Sequence, residues 1–331
     1  MNVLLTGGAG FIGRWVAKRL LDIRAGRFLP AGVTPDQASR LNLIILDNFS
    51  NGREANLKEL AGVDGLTEVV AGDIKDRGLL SRLFKTRFDL CLHLAASINV
   101  QDSIDDPRTT FENDVTGTFN VLEECRGAGT RMVFMSTCMV YDRCLDAGGI
   151  TETHPVKPAS PYAGSKLSGE NLALSYYYAY GLPVTVIRPF NTYGPFQKSS
   201  GEGGVVAIFV NNRLASRPLM IYGAGEQTRD LMYATDCADF VLSCAFQERA
   251  VGEVINAGSG YDVTINHLAE MIAEGRVPVR HLAHIHPQSE IMKLLCDYGK
   301  AEKLLGWRPQ VSLDQGIALT RDWIKSTSDV Q

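Results

Sequence analysis

Tyr162 and Lys166 stand one helical turn apart, so their side chains share a face. A phenol beside an ammonium can serve as a base. The cation stabilises the tyrosinate and lowers a pKa that is ordinarily about 10. Such a tyrosine removes the proton of a sugar hydroxyl while hydride leaves for a dinucleotide. Thr137 lies just past an apolar run and is placed to hydrogen-bond the same hydroxyl. Cys138 and Met139 follow it directly, and neither is a carboxylate. The Tyr-x-x-x-Lys spacing is common on helices, and its meaning depends on a cofactor site nearby.

That site is legible. Gly7-Gly8-x-Gly10-Phe11-Ile12-Gly13 follows an apolar run and opens a helical pattern over Arg14 to Asp22, with Phe11 and Ile12 among the cofactor-binding candidates. Glycines there make a tight turn, let the backbone approach a pyrophosphate and let the helix pack on the sheet, with helix N–H groups aimed at the phosphates. Asp47 ends the next apolar run, where an acid accepts a ribose 2′-OH hydrogen bond and repels a 2′-phosphate, so the expected cofactor is NAD. Asn48, Ser50 and Gly52 are candidates for the adenosine ribose. Asp73, Ile74, Leu94, Ala95 and Ala96 end later runs on the same carboxyl edge, where open sheets bind ligands.

The elements that must position these groups alternate. Short buried runs end at Thr6, Asp47, Asp73, Leu94, Ser136 and Arg188, and helical patterns separate them. Such alternation predicts an α/β, doubly wound parallel sheet of Rossmann type. Residues 24–42 read as a surface loop. After Arg188 the elements shorten: a helix over 205–214, short strands at 220–222 and 254–256, and helices over 262–273 and 300–305. The expected division is a NAD-binding domain of residues 1–190 plus about 230–250, and a smaller C-terminal α/β substrate lobe of 191–229 and 251–331. Residues 199–204 read as a mobile loop.

Composition excludes several classes. A net charge of −4 gives no basic footprint for nucleic acid. Cys91, Cys125, Cys138, Cys144, Cys237, Cys244 and Cys296 are scattered, odd in number and without a C-x-x-C pair, which argues against a zinc cage or a disulfide framework. His281, His284 and His286 cluster without acidic or thiolate companions and read as loop residues, so no metal is expected. With no long apolar span and a strand at the very start, the expectation is a soluble, cytoplasmic enzyme with no membrane partner.

Eight segments carry a family resemblance: Thr6-Gly-Gly-Ala-Gly-Phe-Ile-Gly13, Asp47-Asn-Phe-Ser-Asn-Gly52, His93-Leu-Ala-Ala96, Asn113-Asp-Val-Thr-Gly-Thr118, Pro161-Tyr-Ala-Gly-Ser-Lys166, Arg188-Pro-Phe-Asn-Thr-Tyr-Gly-Pro195, Gly225-Glu-Gln-Thr-Arg-Asp230 and Lys300-Ala-Glu-Lys-Leu-Leu-Gly-Trp307. Together they resemble the extended short-chain dehydrogenase/reductases, in the NAD-dependent nucleotide-sugar epimerase/dehydratase group. The resemblance implies that Thr137, Tyr162 and Lys166 are catalytic and that Pro189 lies beside the nicotinamide. It places Asn191, Arg229 and Lys293 toward the sugar-nucleotide diphosphate, and Val205 and Val206 toward the base. It also implies a homodimer through the helices running from Tyr162 to Tyr180 and from Asp114 to Cys125.

The pair after Thr137 divides the family. Dehydratases that make 4-keto-6-deoxy sugars resemble one another in an Asp-Glu pair there, an acid for the 6-hydroxyl and a base for the C5 proton. Met139 can do neither task. A thiol does one of them if its environment tunes it. The string Thr137-Cys-Met-Val-Tyr141 resembles the branch that includes the tunicamycin-pathway UDP-GlcNAc 5,6-dehydratase, whose chemistry oxidises C4 transiently and removes water across C5–C6. The alternative is a UDP-hexose 4-epimerase (UDP-glucose or UDP-GlcNAc), with Cys138 and Met139 as filler; Gly201-Glu-Gly-Gly-Val-Val-Ala-Ile-Phe209 resembles epimerases. A third reading, a non-catalytic dinucleotide-sensing protein, sits poorly with an intact Thr/Tyr/Lys set.

Overall fold

Runs such as Val-Leu-Leu and Leu-Ile-Ile-Leu are apolar on both faces, so a strand made of them must be covered on both sides. The computed structural model, which describes residues 1–143, 148–198, 204–283 and 291–328, places them in that way. The strands are β1 Asn2–Thr6, β2 Asn42–Asp47, β3 Leu66–Ala71, β4 Leu90–His93, β5 Arg131–Met135, β6 Val184–Pro189, β7 Asn191–Tyr193, β8 Leu219–Tyr222, β9 Thr228–Tyr233, β10 Val254–Ala257, β11 Asp262–Thr264 and β12 Val279–Leu282. Seven form one sheet in the order β10-β6-β5-β4-β1-β2-β3, parallel throughout. The reversal of strand order beside β1 opens a crevice at the carboxyl edge, the expected ligand position in a doubly wound sheet.

Helices cover both faces. Phe11–Arg24 and Ala234–Phe246 pack together on one side, around Val16, Leu20, Phe240 and Val241. Arg77–Leu83, Gly117–Ala128 and Pro161–Tyr180 lie on the other, around Leu80, Val121, Phe134 and Ala173. Two small sheets, β11-β9-β7 and β12-β8, support a separate cluster built on Phe209, Ile221, Leu231 and Leu268. Among the described residues, no helix is long and apolar enough to cross a membrane.

Four local readings change. The 24–42 stretch contains a short helix, Pro35–Ser39, because Thr34 and Gln37 form a reciprocal capping box. Residues 262–264 are a strand, β11, paired antiparallel with β9; the helix begins at Ile265, where Thr264 caps the His267 N–H. The helix expected from Asp114 starts earlier. Pro107–Phe111 leads through a π turn, Glu112–Thr116, into Gly117–Ala128. Finally β10, within the segment assigned above to the second lobe, joins the main sheet beside β6, whose free edge satisfies its backbone groups. Strands β7, β9 and β12 and the helix Leu313–Ser328 carry no clear pattern in the sequence. The loop expected at 199–204 lies outside the described residues up to Gly204.

Candidate active site

A cavity of about 1200 Å³ runs along the carboxyl ends of β1, β2, β4, β5 and β6 and on toward the second lobe. At one end Gly7 takes φ +73°, and a Cβ there would sit 2.7 Å from the Ala95 backbone nitrogen. At Gly13 a Cβ would collide with the Gly7 carbonyl. No side chain caps the helix Phe11–Arg24, so its first N–H groups stay available. The loop is thus a cradle that only glycine leaves open, and it fits a dinucleotide pyrophosphate. Gly13→Ala is expected to weaken NAD binding at least about tenfold, since ~1.4 kcal/mol of loop displacement suffices; calorimetric titration would check it.

Asp47 lines the cavity and also ties two loops together. Its oxygens accept the Ala9 N–H at 2.9 Å and the Phe49 N–H at 2.8 Å. Asn48 donates to Asp73 at 3.1 Å and accepts from the Ser50 N–H at 3.0 Å, which joins the ends of β2 and β3. Gly10, Phe11, Ile12, Gly52, Ile74, Leu94, Ala95, Ala96 and Pro189 also line this region.

The reactive end forms where β5 stops. Thr137 is extended and accepts the Met139 N–H at 3.2 Å, which caps a single turn, Cys138–Val140. Opposite it, Ser160 caps the helix Pro161–Tyr180 and fixes Tyr162 in the first turn. Thr137 lies close enough to the Tyr162 phenol to influence its titration. Tyr162 is only 8 % exposed, and its phenol is pushed well above its ordinary pKa, by burial first, then by Asp114 and Cys138, with Thr137 opposing. The lowering expected from the ammonium is not among the influences on the phenol in the protein alone, where burial dominates. Lys166, also buried, holds its Nζ 4.5 Å from the Phe134 ring centroid. Burial lowers its pKa, while Asp114 and Glu170 oppose the fall. His93 beneath them bridges Thr6 (2.7 Å) and Thr118 (3.0 Å), and burial, with help from Lys166, depresses it to about 3, so it is neutral.

Cys138 lines the cavity yet is 2 % exposed, among Val140, Tyr141, Phe190, Ile291 and Cys296. Burial pushes its thiol up to about 12, against a lowering by Arg229. At neutral pH it keeps its proton. Met139 packs beside that cluster and lines the cavity. Among the described residues, the acidic side chains lining the cavity are Asp47 and Asp73, both at the glycine-loop end.

Toward the second lobe, Arg229 donates to the carbonyls of Thr228 and Ile291, both at 2.8 Å, and faces the cavity with Asn191. Buried Asn191 Oδ1, Gln197 Oε1 and Ser136 Oγ, all on lining residues, have no protein hydrogen-bond partner, which suits a wall built for a polar ligand. Two expected residues fall elsewhere. Val205 lines the cavity, but Val206, about 100° further round the helix Val205–Leu214, is sealed in the second-lobe core. Lys293 is outside the lining, where Ile291 stands instead. Tyr222, Gln227 and Trp323 line the cavity and were not anticipated; Gln227 sat within a motif already singled out, whereas Trp323 carried no signal. No group of three or more potential metal ligands occurs among the described residues. His281 donates from Nδ1 to the Gly223 carbonyl, 2.9 Å away, and His284 and His286, like Cys144, lie outside the described residues.

Residues 4–320 match the family described as GDP-mannose 4,6 dehydratase. The UDP-glucose 4-epimerase of Mycolicibacterium smegmatis is 35% identical over 332 residues, covering 99% of this chain and 100% of that protein. Among solved structures, Pal from Bacillus thuringiensis is 58% identical with a TM-score of 0.93, covering 99% of this chain and 100% of that one. The dTDP-glucose 4,6-dehydratase DesIV of Streptomyces venezuelae, solved with NAD bound, is 33% identical with a TM-score of 0.88, covering 100% of this chain and 98% of that one.

Proposed function

Because the chain belongs to the extended short-chain dehydrogenase/reductase family of NAD-dependent nucleotide-sugar epimerases and dehydratases, we propose that it is a UDP-GlcNAc-type dehydratase that oxidises C4 transiently and eliminates water across C5–C6. The observation that carries this reading is the protonated, buried Cys138 at the reactive end, in a place that holds no carboxylate.

Bound NAD supplies the hydride acceptor and donor at the carbinol. Tyr162, once the positive nicotinamide of a bound cofactor offsets the burial that raises its phenol, takes the C4 hydroxyl proton as phenolate, and Thr137 holds that oxygen beside it. Asn191 and Arg229 face the diphosphate; Val205, Met220 and Tyr222 wall the base. With C4 at the ketone level, the C5 proton is acidic. Cys138 passes its thiol proton to the departing 6-hydroxyl as C6–O breaks. Its sulfur takes the C5 proton as the C5=C6 bond forms, which restores the thiol and releases one water. Met139 shapes the pocket beside C6 without taking a proton. The exposed aromatics Phe119, Tyr178 and Tyr180, on the helices named for it, support a homodimer.

Incubation with UDP-GlcNAc and UDP-glucose, followed by mass spectrometry and NMR, tests the reading. Loss of one water supports it, whereas an unchanged mass with an inverted C4 signal sinks it in favour of the 4-epimerase. That second reading is supported by the apolar packing around Cys138 and by the likeness to 4-epimerases. Cys138→Ala is expected to cut dehydration about 10²-fold or more while C4 oxidation persists; dehydration at full rate would make the cysteine mere packing.

A further inference from the structure

We infer that Asp114 is a positioning residue for the proton transfer at Tyr162: a carboxylate sealed behind the catalytic pair, whose charge holds Lys166 in its ammonium form and tunes the tyrosine. The inference rests on the reading of Tyr162 as the base.

Asp114 is 0 % exposed and does not line the cavity, so it touches no substrate. It sits in the π turn Glu112–Thr116, a device that aims one side chain out of helical register and recurs at functional sites. One oxygen accepts the Ser97 N–H at 2.6 Å; the other accepts the Ser165 hydroxyl at 3.1 Å. That hydroxyl also approaches the Tyr162 carbonyl at 2.8 Å, so a single atom links the carboxylate to the turn carrying Tyr162 and Lys166. Asn113, the preceding residue, donates to Ser97 Oγ at 2.8 Å and faces the cavity.

A buried carboxylate with two hydrogen bonds and, among the described residues, no ion pair is costly, and a purely structural tie would need no charge. The charged and titratable groups around the pair are few. Lys166 and Glu170 come from the same helix as Tyr162, Cys138 from the turn after β5, and His93 from β4. Glu170 is already committed to Arg188, at 2.9 and 2.5 Å, and His93 is neutral. Asp114 is therefore the uncommitted anion of the site among the described residues. Burial raises its own pKa and Lys166 opposes the rise; its charge in turn raises both Tyr162 and Lys166.

Asp114→Asn keeps an acceptor for the Ser97 N–H and removes the charge. In the NAD-loaded enzyme with UDP-GlcNAc, both limbs of the pH profile of C4 oxidation are expected to move down by about one unit, the acid limb with Tyr162 and the alkaline limb with Lys166. Ser165→Ala, which loosens the tie and keeps the charge, is expected to change the rate and leave the limbs in place. Tyrosinate absorbance, measured against a Tyr162→Phe background, reads the phenol without turnover and is expected to show the same downward shift. If Asp114→Asn folds poorly by its melting temperature, Asp114→Ser carries the same two measurements. A shifted phenol with an unshifted profile sustains the role of the charge and removes Tyr162 as the base. Unshifted limbs together with an unshifted phenol overturn the inference.

Discussion

Tyr162→Phe is expected to lower turnover about 10³-fold while NAD binding and folding survive. The change deletes one hydroxyl and keeps the ring, which is nearly buried and held by a capped first helical turn. Thr137 keeps its hydrogen bond from Met139, so the Cys138–Val140 turn has no reason to move. On the proposed mechanism, what disappears is the group that takes the carbinol proton. The loss should therefore fall on kcat, with substrate and cofactor affinity changed little. Single-turnover kinetics with NAD titration checks both halves, and a variant with undiminished activity would remove Tyr162 from the chemistry.

Glu170→Ala is expected to cost about 3–5 kcal/mol of stability, because it strands a charge rather than merely deleting a bond. Glu170 and Arg188 form a bidentate pair, both almost fully buried. The guanidinium lies 4.7 Å from the Tyr141 ring, and Tyr141 donates to Asn256 at 2.7 Å. Removing the carboxylate leaves Arg188 uncompensated inside β6, one residue before Pro189 at the cavity wall. Replacing both partners, as in Glu170→Met with Arg188→Met, is expected to recover much of the loss, since it strands no charge. Urea unfolding of the three proteins checks this. A single variant within about 1 kcal/mol of the parent would mean that water or a relaxed Arg188 relieves the site.

These contrasts show what a linear sequence reveals. Gly7, Gly10 and Gly13 were legible because their constraint is local: a tight turn, a close strand and a helix start within one short segment. Tyr162 and Lys166 were legible because one helix sets their spacing. Val205 and Val206 differ only in helical phase relative to a lobe that the sequence does not orient, so pattern alone kept both. β9 was missed because Asp230, a buried strand residue, looks polar in sequence; its cost is met by the Ser259, Gly260 and Cys296 N–H groups from distant loops. Cys138 could be read as acid or base until burial left it protonated. Asp114 was quoted within a motif, but its importance lies in being sealed between the Ser97 loop and Ser165, which no local spacing encodes.

The π turn at 112–116 makes chain length itself a variable of the site. A π turn closes i→i+5 where the flanking helix closes i→i+4, so it holds one residue more than regular winding needs. Deleting any one of the other four residues would let ordinary winding run through and turn Asp114 by about 100° relative to one flank of the helix, out of register with Ser165. Substitution libraries never sample that change. Alignments that slide a gap through this helix would pair Asp114 with the wrong column and hide it. The buried anion is written into this chain partly as an inserted residue.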